Sequence, residues 1–343
     1  MPVADASDSR LEMLTRWVSD DLGFRDGTIA PASSDASFRR YFRVTRDSDT
    51  YIVMDAPPDK EDLAPFLKVA RILSDIGVNA PAVLARDLKR GLLLLSDLGT
   101  ELYLDALSEA PAVDRLYRDA LAALREIQTA DAALGADLPR YDHALLMREM
   151  ELMPEWFLER HLGLKLTAAQ RQMLDELFQA LAQAAASQPA AIVHRDYHSR
   201  NLLVSAEHNP GIIDFQDAVW GPVTYDVVSL LKDCYIAWPA PRVHDWALEY
   251  RDGLLQRGFE AGSAPQFLRW FDLIGLQRHI KVLGIFARLY YRDGKSGYLK
   301  DLPRVLDYTR ATAAAYPETA AFAKFLEGHI DARFAEAQQR VMP

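Results

Sequence analysis

His194-Arg-Asp196-Tyr-His-Ser-Arg-Asn201, followed by Ile212-Ile-Asp214-Phe215-Gln216, is the stretch on which the fold and the chemistry turn. The first run satisfies H-R-D-x-x-x-x-N, and the second sets an aspartate at the end of a short apolar run. Phosphoryl transfer asks little covalent work of a protein. It asks for a carboxylate that orients and deprotonates the attacking hydroxyl, and for hard oxygen ligands that hold magnesium against phosphates. Asp196, Asn201 and Asp214 are residues of those types in that order. Taken singly, each reads as a turn cap or a strand end; their joint occurrence is what points to chemistry.

Outward from the motif, Ala191-Ile-Val193, Leu202-Leu-Val204 and Gly211-Ile-Ile213 are short apolar runs bounded by polar clusters, the pattern of a small sheet. Upstream of residue 100 lie three more β-like runs, Tyr41 to Val44, Tyr51 to Met54 and Gly91 to Leu95. One helix interrupts them, with Phe66, Val69, Ala70, Leu73 and Ile76 on one face, a stop at Gly77 and Pro81 beyond. After Gly99 the periodicity is helical: a stripe Leu116, Ala120, Leu121, Leu124 and Ile127, then helices over 168–186, 244–257, 265–291, 303–315 and 317–339. The expected architecture is α+β, with a small β-rich lobe over 1–95, a connection at 96–99 and a large, mostly helical lobe over 100–343. Two lobes imply a cleft, where ligands usually bind.

Composition narrows the class. The chain has 343 residues, half of them hydrophobic, which excludes a disordered or fibrous protein. Its single cysteine, Cys234, excludes an intramolecular disulfide and fits a reducing compartment. The start MPVADASDSR has neither a basic segment nor an apolar core, so no signal peptide is expected there. The most apolar stretch, 267–291, is broken by Arg269, Asp272, Arg278, His279, Lys281 and Arg288, so no membrane span is expected and the location expected is cytoplasmic. A net charge of −10 gives no basic footprint for nucleic acid. It would also suit a cationic small molecule.

The motif pair resembles that of the aminoglycoside phosphotransferase and choline kinase superfamily, relatives of the protein kinases. The likeness continues in Ser34-Asp-Ala-Ser-Phe-Arg-Arg-Tyr-Phe-Arg-Val44, Val53-Met-Asp-Ala-Pro-Pro58, Leu92-Leu-Leu-Leu-Ser-Asp-Leu-Gly99, Ile213-Asp-Phe-Gln-Asp-Ala-Val-Trp-Gly-Pro222 and Gln277-Arg-His-Ile-Lys-Val-Leu-Gly-Ile-Phe-Ala-Arg288. These segments are similar to those of the bacterial anomeric sugar kinases of cell-wall recycling, which phosphorylate N-acetylmuramate and N-acetylglucosamine at the C1 hydroxyl. The resemblance spans roughly 33–305. It implies a protein-kinase-like fold, ATP and magnesium as cofactors, Asp196 as catalytic base, and Asn201 and Asp214 as metal ligands. It also implies that the segment Ser33 to Arg40, with Ser33, Ser34, Ala36, Ser37 and Phe38, lies over the ATP phosphates and that Ser96, Asp97 and Leu98 meet the adenine. Asp226 would brace the catalytic loop.

Two features depart from that pattern. The phosphate loop holds no glycine, and no lysine occupies the strand that should carry the phosphate-pairing cation, which reads Tyr51-Ile-Val-Met54-Asp55. Arg43 and Lys60 are the candidates to replace it, or both are solvated charges. His198, Asp217 and Trp220 are candidate substrate contacts, with loop, turn and core packing as their ordinary roles. Arg278, Lys281, Arg288 and Arg292 share one helix face. Either Arg278 and Lys281 meet a substrate carboxylate, or the face is solvated. Two other functions stay open from sequence: a kinase for an aminoglycoside- or choline-like amine, and a nucleotide-binding pseudokinase.

Overall fold

The computed structural model describes residues 8–34, 38–108 and 112–341. Its contacts divide the chain into two compact units. One comprises the chain up to Glu101 together with Leu202–Asp217; the other comprises Leu102–Asn201 together with the chain from Ala218 onward.

The first unit opens with α1 (Ser9–Arg16), capped by the Asp8 carboxylate, which accepts the Leu11 N–H at 3.1 Å. Then come β1 (Thr28–Ser34), β2 (Arg40–Arg46), β3 (Asp49–Asp55), α2 (Ala64–Ile76), β4 (Val83–Asp87) and β5 (Leu92–Ser96). The strands form an antiparallel sheet in the order β1-β2-β3-β5-β4. Phe42, Val44, Val53, Leu92 and Leu94 pack with Leu14, Trp17 and Val18 of the N-terminal segment in one buried cluster. Each such side chain contributes about 1.5–3 kcal/mol on burial, so the sheet face fastens α1.

The interior strands β2, β3 and β5 are the three runs that the sequence picks out, while α1 and the edge strands β1 and β4 are additions. Pro31 sits in β1 where the register shifts, which an edge strand tolerates because one side of its backbone needs no partner. α2 buries Phe66, Val69, Ala70 and Leu73 as expected, with Ile72 rather than Ile76 as the further buried residue. Gly77, at φ 86°, turns the chain so that its N–H and that of Val78 both return to the Leu73 carbonyl.

The hairpin Leu202–Leu203 with Gly211–Ile212 also belongs to this unit. Ile212 N–H donates to Asn79 O at 2.7 Å, Val204 N–H to Glu101 O at 2.8 Å, and Phe215 packs on Phe66 with ring centres 4.8 Å apart. The metal-motif segment is thus held by the β-rich unit, although it lies beyond residue 200.

The second unit is organised around one helix, Ala264–Tyr291, capped by Ser263 and carrying Pro265 in its first turn. It is buried on most sides, under the helices Ala168–Ala186, Tyr225–Leu231, Ala240–Gln256 and Leu302–Ala315. The segment expected to be one helix over 317–339 is a short turn, Pro317–Thr319, and two helices, Ala320–His329 and Asp331–Val341, which part at the fully buried Ile330. Ala190–Val193 pairs antiparallel with Val219–Pro222, the latter unread in the sequence. Gly221 is required there, because a Cβ would lie 2.7 Å from that of Tyr141. Among the described residues no helix is long and apolar enough to cross a membrane.

Candidate active site

In the helical unit, the loop His194–Asn201 leaves the strand Ala190–Val193 and loses its ladder partners. Buried carboxylates take their place. Asp226, fully buried, accepts the His194 N–H at 2.6 Å and the Arg195 N–H at 3.0 Å, so it braces the loop as expected. Asp233 accepts the Ser199 N–H at 2.9 Å, and Tyr197 OH donates to Ala120 O at 2.8 Å. Within the loop, the Asp196 carbonyl accepts the His198 N–H at 3.1 Å and Asn201 Nδ2 at 2.9 Å. The Asn201 amide is therefore held by its NH2 end, the end a cation does not use.

Four described non-glycine residues have φ in the left-handed region, and two of them, Arg195 at 75° and Asp214 at 63°, sit in the motifs. Such backbone persists only where its surroundings over-determine it.

Beneath the loop lies a buried charge network. Glu149 pairs with Lys281 at 2.9 Å and with the Arg195 guanidinium, and it accepts the Tyr141 hydroxyl; Lys281 Nζ also meets Tyr225 OH at 3.2 Å. Burial opposes ionisation of Glu149, but Lys281 and then Arg195 outweigh it and hold its carboxyl below the ordinary value. Asp196 follows the same logic: burial opposes its charge, and Lys281, His198, Arg195 and Arg278 together hold it below the usual carboxylate range. Asp226 is pushed up to about 7, chiefly by burial, with Asp196 adding to the rise; its two backbone N–H donors and Arg278 do not outweigh them.

The solvated-face reading of the basic helix stripe fails for its first two members. Arg278 and Lys281 are buried, Lys281 on Glu149 and Arg278 against Cys234 Sγ at 3.2 Å. Only Arg292, past the helix end, is an exposed charge paired locally, with Asp293. His198 is buried edge-on to Tyr235, with no partner for Nδ1 among the described residues; burial holds its ring below the usual value, against the pull of Asp233 and Asp196. Trp220 lies against Gly135, where a Cβ would meet its ring at 2.5 Å, and under the Arg140 guanidinium at 5.7 Å.

In the β-rich unit, Asp214 follows the hairpin. Gln216 Nε2 donates to its Oδ1 at 2.8 Å, and the Arg39 guanidinium stands 3.8 Å from the same oxygen. The sequence places Arg39 in the expected phosphate segment without singling it out, because Arg39 and Arg40 adjoin; only the fold separates them, sending Arg40 to the buried Asp55 at 2.6 Å. The strand alternation after Phe38 was the signal that could have found it.

Arg43 binds Asp97 through Nε at 2.6 Å and NH2 at 3.1 Å, and Gly99 O at 3.1 Å. Burial opposes the charge of Asp97, while Arg43 and the Gly99 N–H keep its carboxyl below the ordinary value. Ser96 is tied to Ala82 by its N–H at 2.9 Å and its Oγ at 2.8 Å, and Leu98 packs on Gly211. Lys60 is half exposed beside Asp59 and lies 6.0 Å from the centre of the Phe38 ring. Phe38 is itself exposed, its N–H on Glu61 at 3.0 Å; Asp217 is exposed beside Gln216. Ser33 and Ser34 end β1, and Ala36 and Ser37 lie outside the described residues.

Magnesium takes hard oxygen donors and keeps several non-protein ligands, often phosphate oxygens. No set of three carboxylate, imidazole or thiol groups suited to a metal occurs among the described residues. Asp214 is a part-exposed carboxylate and Asn201 carries an amide oxygen, each a donor of the kind that magnesium takes.

A five-stranded antiparallel sheet with one crossing helix, followed by a mostly helical unit bearing this aspartate–asparagine loop, is the protein-kinase-like α+β architecture. The chain belongs to the phosphotransferase enzyme family, whose model matches residues 28–271. It is 46% identical over 332 residues to the N-acetylmuramate/N-acetylglucosamine kinase of Pseudomonas aeruginosa, covering 94% of this chain and 97% of that protein. To the protein of the same name from Pseudomonas putida it is 45% identical over 324 residues, covering 91% and 94%. Among solved structures, the ethanolamine kinase of Plasmodium vivax shares the fold with a TM-score of 0.63 at 12% identity, over 90% of this chain and 96% of that one.

Proposed function

We propose that this phosphotransferase is an ATP-dependent sugar kinase that acts in the cytoplasm and phosphorylates the anomeric C1 hydroxyl of N-acetylmuramate and N-acetylglucosamine. The sugar 1-phosphates would feed peptidoglycan recycling. The observation that carries the reading is the near full-length likeness, at 45% and 46% identity, to two proteins so named.

Asp196 is the base. Its carboxylate orients the C1 hydroxyl and takes its proton as the phosphoryl group departs from ATP and the O–P bond forms. A loose transfer of this kind depends more on position than on base strength, which suits a carboxylate held ionised on a clamped loop. Asn201 and Asp214 are assigned to magnesium, which when bound neutralises phosphate charge. Segment 33–38 is assigned to the phosphates, and Ser96, Asp97 and Leu98 to the adenine, with Arg43 fastening that segment through Asp97. The cation role left open by the missing strand lysine passes to Arg39, buried beside Asp214.

The test is ADP release with a panel of the two sugars, an aminoglycoside and choline, with 31P NMR of the product. Sugar-dependent ADP release and a glycosyl 1-phosphate resonance are expected. Turnover of the amines alone, or of nothing, would overturn the reading.

A further inference from the structure

Arg200 lies inside the catalytic loop, immediately before Asn201, and is half-buried. Its guanidinium sits 3.7 Å from the centre of the Tyr235 ring, the closest cation–ring approach in the described structure, and 5.9 Å from that of Tyr298. Phe286 packs between these tyrosines, 6.1 Å from Tyr235 and 5.2 Å from Tyr298, and His198 stands edge-on to Tyr235 at 5.3 Å. No carboxylate pairs with Arg200 among the described residues, whereas Arg195 on the same loop is held by Glu149. A guanidinium laid on an aromatic face keeps its N–H edges in plane. That leaves it able to take a carboxylate through two parallel hydrogen bonds.

The two sugars named for the relatives differ by an O-lactyl group, which is a carboxylate at neutral pH. Lys281 is occupied by Glu149, and Arg278 is only 4% exposed. Arg200 stands on the same loop as Asp196, and the field at His198 includes both of them.

We propose that Arg200, held on Tyr235 and Tyr298, receives the carboxylate of an acidic amino sugar and so sets the preference of the enzyme for N-acetylmuramate over its neutral counterpart. The inference rests on the sugar-kinase reading above. It deepens that reading by naming the residue that distinguishes the two substrates.

The experiment compares steady-state kinetics of the wild type, Arg200→Gln, Arg200→Met and Arg278→Gln. The substrates are N-acetylmuramate, its lactyl methyl ester and N-acetylglucosamine. The quantity read is the ratio of the KM for N-acetylmuramate to that for N-acetylglucosamine. Arg200→Gln is expected to raise this ratio about tenfold or more, while the ratio for the uncharged ester moves far less. A folding defect would affect both sugars alike and cancel in the ratio. Arg200→Met keeps the stem on Tyr235 and decides the matter if the glutamine variant does not fold. An unchanged ratio, or a rise in Arg278→Gln with none in the Arg200 variants, would overturn the assignment while leaving the sugar-kinase reading intact. A wild type that turned over neither sugar would overturn both.

Discussion

Glu149 and Lys281 in the helical unit have side chains 8% and 9% exposed, and with Arg195, Tyr141 and Tyr225 they close on one another. In the β-rich unit, Asp214 is 31% exposed, with Gln216 and Arg39 beside it. The contrast separates two tasks that a phosphotransferase sets its charges. A base must be in place before the substrate arrives, so its supports are buried, mutually satisfied and costly to disturb. In the roles proposed above, a metal-binding carboxylate such as Asp214 must exchange one partner for another, so it stays within reach of solvent, whereas Arg39 beside it is itself only 9% exposed. Buried pairs lose several kcal/mol when one partner is removed, whereas exposed pairs lose little, so the contrast can be measured.

The largest effect is expected at the group that the buried network serves. Asp196→Asn should lower kcat by roughly 10²–10⁴ while nucleotide affinity survives, because the proton acceptor goes and the loop clamps remain. Activity within tenfold of wild type would remove Asp196 from the mechanism. Next comes the support itself. Glu149→Ala leaves Lys281 and Arg195 buried without their carboxylate, at a cost of about 3–5 kcal/mol in unfolding free energy measured by denaturant titration. A loss below ~1 kcal/mol would mean that the network is not the rigid base that its burial suggests.

A smaller effect separates the two carboxylates of the loop by pH. Asp196, held low, stays ionised across the neutral range, while Asp226 is pushed up to about 7. Ionised Asp226 accepts two backbone N–H groups; once protonated it has one acceptor fewer, so the loop loosens. The kcat should therefore fall as pH drops through about 7 and level off at the activity of the loosened loop. For stability the sign is reversed. The folded carboxyl binds its proton more tightly than the unfolded one, so this group's contribution is present at low pH and is lost as pH rises toward 7. Asp226→Asn should abolish the acid limb near 7. A limb that persisted there in the variant would assign it to another group.

The motifs made the centre of each unit legible and left the margins dark. Strands β3 and β5 show in the sequence because each holds four consecutive apolar residues, and β2 through the β-favouring Tyr41, Phe42 and Val44, whereas β1 holds Pro31 and β4 alternates half-buried with exposed positions. The N-terminal α1 is polar on most of its surface, and only Leu11 and Leu14, with Trp17 and Val18 just beyond them, show what it covers. Arg278 and Lys281 are visible as a stripe, but a one-dimensional pattern cannot tell a wet face from one sealed by Glu149 and Cys234, which come from distant parts of the chain. Arg39 and Arg200 were hidden for the same reason. The sequence shows an arginine and its neighbours, while the role depends on which carboxylate or ring the fold sets beside it.

The smallest effect expected tests the β-rich unit from within, because Arg43 in mid-β2 and Arg39 just before that strand offer contrasting fates for a cation. Arg43→Ala removes the partner of Asp97, whose side chain is 4% exposed, yet Asp97 retains the Gly99 N–H at 3.0 Å and a contact from Thr50. The loss should therefore be only about 1–2 kcal/mol of stability. If Arg43 fastens the segment assigned to adenine, its removal should weaken adenosine, ADP and ATP by one common factor. Arg39→Gln should instead leave adenosine untouched and weaken ATP by about tenfold, since a cation acting on phosphates contributes nothing to a nucleoside. Calorimetric titration of each variant with the three ligands reads both patterns directly. A phosphate-dependent loss in Arg43→Ala, with none in Arg39→Gln, would return the role of the missing strand lysine to Arg43 and place the exchangeable charge on β2.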